Sequence, residues 1–151
     1  IVTGRQMAAA MAMGAAGAWC GSVWLTTVEA EPSPAVKEKL LAASSSDTVR
    51  SRSRTGKPSR QLRSPWIDAW EANGPTPLPM PLQSLLVEPA LLRIDKLAQS
   101  GHAGARDLAT YWVGQGVGLM NQEMSAAAVV QEFKADFLLA CERLAESLGE
   151  P

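Results

Sequence analysis

Histidine occurs once and cysteine twice in this chain of 151 residues, at His102, Cys20 and Cys141. The two cysteines stand at opposite ends of the sequence with no CxxC spacing, which excludes a disulfide framework and a Cys/His zinc site, so no metal is expected. Free thiols are the normal state of a cytoplasmic protein, and that is the expected location. A surplus of one charge is missing too: 14 Lys and Arg stand against 15 Asp and Glu, for a net charge of -1. The balance gives no global electrostatic reason to expect a nucleic-acid or membrane partner. No apolar run reaches the roughly 18 to 20 residues of a membrane span. Arg5 followed by the run from Met7 to Cys20 imitates a lipoprotein leader. Trp19, however, is too bulky to precede a cleavage site, and Gly14, Gly17 and Gly21 punctuate the segment. Opening on Ile1 with no leader before Thr3-Gly4-Arg5-Gln6, the sequence reads as a piece of a longer protein.

What is present is enough apolar material for one core, 46% of residues in 16.0 kDa. Thr3 and Gln6 have capping-box spacing, predicting a helix through Met13 with Gly14 as its left-handed stop. Ala18-Trp19-Cys20 reads as a short buried strand broken by Gly21-Ser22, an order that suits the closing unit of a parallel α/β sheet. Ala35 to Ala43 is helical, ended by Ser44 to Asp47. From Arg50 to Arg63 there are six cations and no acid, with Arg50, Arg52 and Arg54 predicted on one face of an extended segment and a turn at Gly56-Lys57-Pro58. Four alternating prolines make 73–81 an extended connector. Leu82 to Gln99 is helical, with Leu85, Leu86, Leu92 and Leu97 as its apolar residues and Pro89 as the start of a second segment. The last helix is capped by Ser125 and carries a stripe from Val129 through Phe133 and Phe137 to Leu148.

Two short motifs carry chemistry. A glycine after an apolar strand, here Gly21-Ser22, lets the backbone approach an anion, although ordinary turn chemistry needs the same residues. Gly114-Gln115-Gly116-Val117-Gly118 is too compressed for a dinucleotide fingerprint. It reads either as a loop close to a flat ligand, with Gln115 as an amide donor and acceptor, or as tight packing of small residues. The arginines of 50–63 have no alternating aromatics to stack bases, so a solvated basic face is expected. His102 has no carboxylate or nucleophile placed beside it, and burial accounts for the five tryptophans.

The ordered set Thr3-Gly4-Arg5-Gln6, Gly14-Ala15-Ala16-Gly17-Ala18-Trp19-Cys20-Gly21-Ser22, Thr55-Gly56-Lys57-Pro58-Ser59-Arg60-Gln61-Leu62-Arg63, Pro79-Met80-Pro81-Leu82-Gln83 and Trp112-Val113-Gly114-Gln115-Gly116-Val117-Gly118-Leu119 resembles the C-terminal part of the nitronate monooxygenases, formerly 2-nitropropane dioxygenases. The resemblance implies an α/β fold: residues 1–27 as the last helix and strand of an FMN-binding TIM (β/α)8 barrel, and 28–151 as a mostly helical cap domain. It further implies FMN as cofactor, with Trp19, Cys20, Gly21, Ser22 and Gln115 as its binding residues, and an alkyl nitronate and dioxygen as small-molecule partners. The histidine that supplies the family's catalytic base belongs upstream, so no catalytic residue is assigned within this chain, which is expected to be inactive by itself. Two rivals are an FMN-dependent enoyl-reductase-like barrel enzyme and a non-catalytic helical interaction module using the basic face. The expected architecture is mostly helical, with one strand near Ala18 to Ser22.

Overall fold

The computed structural model describes residues 1–149. Helix α1 (Gly4–Ala12) begins where the capping box places it: Thr3 Oγ1 accepts from the Gln6 N–H at 3.3 Å. The Gln6 amide oxygen reaches one residue beyond the cap, to the Val2 N–H at 2.8 Å. Gly14, at φ 98°, stops the helix in the left-handed region that glycine enters without strain. The helix lies against α6 (Ala126–Ser147), which starts with Ser125 Oγ accepting from the Ala128 N–H at 3.1 Å. Their approach depends on Gly4, where a Cβ would stand 2.1 Å from the Phe133 carbonyl oxygen. Val2, Val23, Met120 and Val129 form the small core beneath this crossing, with Phe133 packed on it. Of the expected α6 stripe, Val129 is buried whereas Leu144 and Leu148 are exposed.

The strand expected at Ala18 to Ser22 is absent: residues 18–21 lie in no ladder, and Ser22–Thr26 is a 3-10 turn. A parallel strand exists only through hydrogen bonds to neighbours, and no strand of the described residues lies alongside. Burial also fails as the account of the tryptophans, since Trp19 is 98% exposed.

The strands lie instead within the basic segment. After α2 (Pro34–Ala42), with its proline in the first turn, Asp47 Oδ2 accepts from the Ser44 N–H at 2.8 Å and closes a capped turn. Strands β1 (Thr48–Ser51) and β2 (Ser59–Leu62) then pair antiparallel, Thr48 opposite Leu62 and Ser51 opposite Ser59. The three arginines therefore do not share a strand face. Arg50 is exposed opposite Arg60, and Arg52 lies beyond the strand, its Nε donating to the Gly56 carbonyl at 2.8 Å. Arg54 turns inward, so the basic face is not uniformly solvated. Tyr111 to Val113 runs beside β2, the Leu62 N–H donating to the Tyr111 carbonyl at 2.9 Å. Val36, Leu40, Leu62, Ala109, Val113 and Val117 close the main core between α2, β2 and this segment.

Helix α3 (Pro65–Asn73) leads to the proline-rich connector, which is extended and rests on the hairpin turn at Gly56. There φ is 80° and a Cβ would stand 2.0 Å from the Leu78 carbonyl, so both torsion and space require glycine. Helix α4 (Leu82–Gln99) runs unbroken through Pro89, contrary to the expected restart. Pro89 and Leu85 are both exposed, so the carbonyl deprived of its partner can turn to water. Its inward face is Gln83, Val87, Leu91 and Ala98, while Leu85 is 71% exposed and Leu86 and Leu92 also face solvent. Gln83 faces inward because it bridges two backbones, donating to the Ser53 carbonyl at 2.7 Å and accepting from the Leu78 N–H at 3.0 Å. Helix α5 (Ala103–Leu108) is capped by His102. Its other end is closed by Lys39 Nζ, which donates to the carbonyls of Arg106, Asp107 and Ala109 at 3.0, 2.9 and 2.6 Å. No helix is long and apolar enough to cross a membrane among the described residues.

Candidate functional site

The segments around Gly21-Ser22 and Gly114-Gln115, remote in sequence, meet. Ser22 Oγ accepts from the Gly114 N–H at 2.8 Å. The bond falls where both segments enter 3-10 turns, Ser22–Thr26 and Gln115–Leu119, with Gly21 and Gly114 at their N-terminal boundaries. Gly21 itself is open, with nothing within 4 Å of where a Cβ would sit. The N–H groups of Gly21 and Ser22 make no hydrogen bond among the described residues. Unused donors beside a residue without a side chain are what a phosphate-bearing group requires of a backbone.

Cys20 and Trp19 are placed differently. The Cys20 carbonyl accepts from Trp24 Nε1 at 3.0 Å, which ties the segment to the turn that follows. Its thiol is free and half-buried. The Trp19 side chain stands in solvent. Gln115 is exposed at the head of its turn.

The alternating glycines of that turn have packing roles. At Gly116 a Cβ would lie 2.7 Å from Val2 Cγ2, and at Gly118 one would lie 3.2 Å from the Ser45 backbone nitrogen. The compressed spacing thus seats Gln115–Leu119 against the chain start on one side and the turn after α2 on the other. Packing explains Gly116 and Gly118 and leaves the exposed amide of Gln115 unexplained.

Immediately before this turn stands a pair that the sequence reading did not single out. The Arg54 guanidinium lies over the Trp112 ring, with Cζ 3.8 Å from its centroid, and Tyr111 is 5.6 Å away. Burial pushes the Arg54 pKa down, opposed by the charge of Glu88. Nothing in a row of arginines distinguishes the one that turns inward, and no aromatic stands near it in sequence to mark Trp112 as its partner. A further cavity of about 410 Å³ opens between the start of α1 and α6. On its rim Arg5 and Asp136 are paired: Arg5 Nε donates to Asp136 Oδ1 at 2.9 Å and the Arg5 N–H to Oδ2 at 2.7 Å. The Arg5 guanidinium holds the Asp136 carboxyl below the usual carboxylate range.

The family described as nitronate monooxygenase matches residues 1–136. A Mycobacterium tuberculosis protein named as a monooxygenase, Rv1533, is 58% identical over 139 residues, covering 91% of this chain and 37% of its own length. A Bacillus subtilis protein named as a nitronate monooxygenase is 29% identical over 128 residues, 85% of this chain and 35% of its own. The structure of nitroalkane oxidase from Streptomyces ansochromogenes superposes with a TM-score of 0.81 at 27% identity, covering 95% of this chain and 39% of that one. The chain spans little more than a third of the length of these proteins.

Proposed function

The chain belongs to the nitronate monooxygenase family, and we propose that it is the C-terminal part of an FMN-dependent oxidoreductase that oxidises alkyl nitronates with dioxygen. In this reading residues 1–27 supply the last helix and strand segment of a TIM barrel, and the remainder forms a helical cap with 73–81 as its connector. The hydrogen bond between Ser22 and Gly114 carries the proposal, because it joins the segment assigned to the barrel to the loop assigned to the cap, beside the open backbone of Gly21.

The residues present fit one wall of the cofactor site. Gly21 and Ser22 would donate N–H groups to the FMN phosphate, and the absence of a Cβ at Gly21 lets an anion approach the backbone. Cys20 would line the same edge, and Trp19 would reach the cofactor or the barrel only in the longer protein. Gln115 would present its amide from the cap side, where one group can both donate and accept. FMN, when bound, would supply the redox chemistry that couples nitronate oxidation to dioxygen. The residues of this chain would hold and orient the cofactor and exclude water, while the catalytic base would come from the upstream barrel.

The test is made in a protein of the relatives' length. Gly21→Asp places bulk and negative charge at the phosphate position, so flavin absorbance per polypeptide should fall to background. Full retention of flavin would remove Gly21 from the site. Gln115→Ala should leave the melting temperature unchanged and weaken flavin binding or turnover by about 1–2 kcal/mol, the scale of one hydrogen bond. Nitronate-dependent oxygen consumption checks the substrate class.

A further inference from the structure

The antiparallel register sets Arg50 of β1 directly opposite Arg60 of β2. Like charges facing each other across a strand pair destabilise it unless negative charge lies nearby. The chain supplies none. Residues 50–63 contain no acid, and among the described residues neither Arg50 nor Arg60 enters an ion pair. The carboxylates around the hairpin are engaged elsewhere: Asp68 with Arg63 Nε at 2.9 Å, Asp47 with the Ser44 N–H at 2.8 Å, and Glu71 with Ser51 Oγ at 2.6 Å. Arg60 is half-buried, its Nη1 donating to Thr48 Oγ1 at 3.0 Å, and Arg50 is exposed. Neither of these positive charges is compensated within the hairpin.

The same ladder carries the pair to the candidate site. Gln61 bridges antiparallel to Trp112, which puts Val113 opposite Arg60, and the Val113 N–H donates to the Arg60 carbonyl at 3.3 Å. The next residue is Gly114, whose N–H is held by Ser22 Oγ at 2.8 Å. The Arg60 backbone therefore stands one strand spacing and one residue step from Gly114, about 6 Å and inside the Debye length of about 8 Å at physiological ionic strength. The wall at Gly21 and Ser22 offers backbone donors but no full positive charge, while a phosphate monoester above about pH 6 is a dianion. Backbone dipoles alone leave that charge uncompensated. On the reading of this wall as an FMN site, we propose that Arg50 and Arg60 are its counter-charge, stabilising the cofactor phosphate through their field. Contact is not required: Arg60 stays anchored on Thr48, and a half-buried charge is screened less than an exposed one. The isoalloxazine ring is uncharged, so the pair discriminates FMN from riboflavin.

The test titrates FMN and riboflavin, by quenching of flavin fluorescence, into the flavin-stripped protein of the relatives' length. Arg50→Gln combined with Arg60→Gln should weaken FMN binding about tenfold and change riboflavin binding by less than about twofold. Arg50→Lys combined with Arg60→Lys keeps both charges and should hold FMN affinity within about threefold of the parent. Raising the salt from about 20 to 500 mM should weaken FMN binding in the parent more than in the glutamine variant. The melting temperature of the stripped glutamine variant should equal or exceed that of the parent, because a like-charge pair has been relieved. Equal losses for FMN and riboflavin would make the arginines structural and overturn the proposal. So would unchanged FMN affinity, including the case in which only the KM for a nitronate rises, which would give the pair to the substrate. A parent that binds neither flavin would overturn the FMN reading and this proposal with it, whereas a parent that binds FMN indifferently to both substitutions overturns this proposal alone.

Discussion

Residues 11–21 and the core around Leu40 are both rich in apolar side chains, and they meet opposite fates. Met11, Met13 and Trp19 stand in solvent, whereas Val36, Leu40, Leu62, Val113 and Val117 bury one another. The difference lies in where each segment finds its backbone partners. The core is framed by a helix that satisfies its own hydrogen bonds and a hairpin whose strands are separated only by a short turn. The Ala18–Cys20 segment needs neighbours in a sheet, and apolar character alone does not hold it in place. Burial thus follows pairing here, and an apolar run without a partner stays outside.

The sharpest way to break this contrast is Leu40→Ala, which removes a completely buried side chain. Its unfolding free energy in urea should fall by about 2–5 kcal/mol. A loss below about 1 kcal/mol would mean that this core does not hold the chain together. Next comes Gly4→Ala, where the added carbon meets the Phe133 backbone and must push α1 off α6. A loss of about 1–3 kcal/mol is expected, with hydrogen exchange accelerating in α1 before α4.

A smaller effect concerns the same crossing and depends on pH. Arg5 depresses the folded-state pKa of Asp136, so the unfolded state binds the proton more readily. The stabilisation is therefore fully present above about pH 4, the unfolded carboxyl range, and disappears as the pH falls through the depressed folded value. Asp136→Asn should be less stable than the parent at neutral pH, and the two should converge in strong acid. A gap that stays constant with pH would assign the contact to packing alone. Smallest of all, Trp19→Ala should change stability by no more than about 0.5 kcal/mol, because the ring has almost no protein around it. A larger loss would place Trp19 in contacts that this exposure does not show.

Local signals were legible in the sequence. Thr3 with Gln6, Gly14, Ser125 and the span Leu82–Gln99 all declare themselves within a few residues, and each element stands where its own residues place it. An extended basic segment and the turn at Gly56 are legible too, but the pairing of Thr48–Ser51 with Ser59–Leu62 is not, because these strands are short and polar and their strand character comes from pairing. The orientation of α4 is not legible for a related reason. Leu85, Leu86 and Leu92 look like a buried stripe, but Gln83 has two backbone partners inside and turns the helix the other way. At the candidate site, Gly21-Ser22 and Gly114-Gln115 were each visible as segments. That Ser22 would accept from Gly114, or that Arg54 would lie on Trp112, requires the fold.

Lys39 has a consequence for which sequences can adopt this fold. Three carbonyl oxygens at the end of α5 converge on its Nζ, and the side chain is half-buried. An ammonium directs its three donors tetrahedrally, so it can serve three converging acceptors from one point, whereas arginine spreads its donors across a plane. Acetylation would leave one donor for three acceptors and insert bulk among them. A position that a substitution table would treat as an interchangeable surface cation is therefore restricted to lysine in its unmodified form.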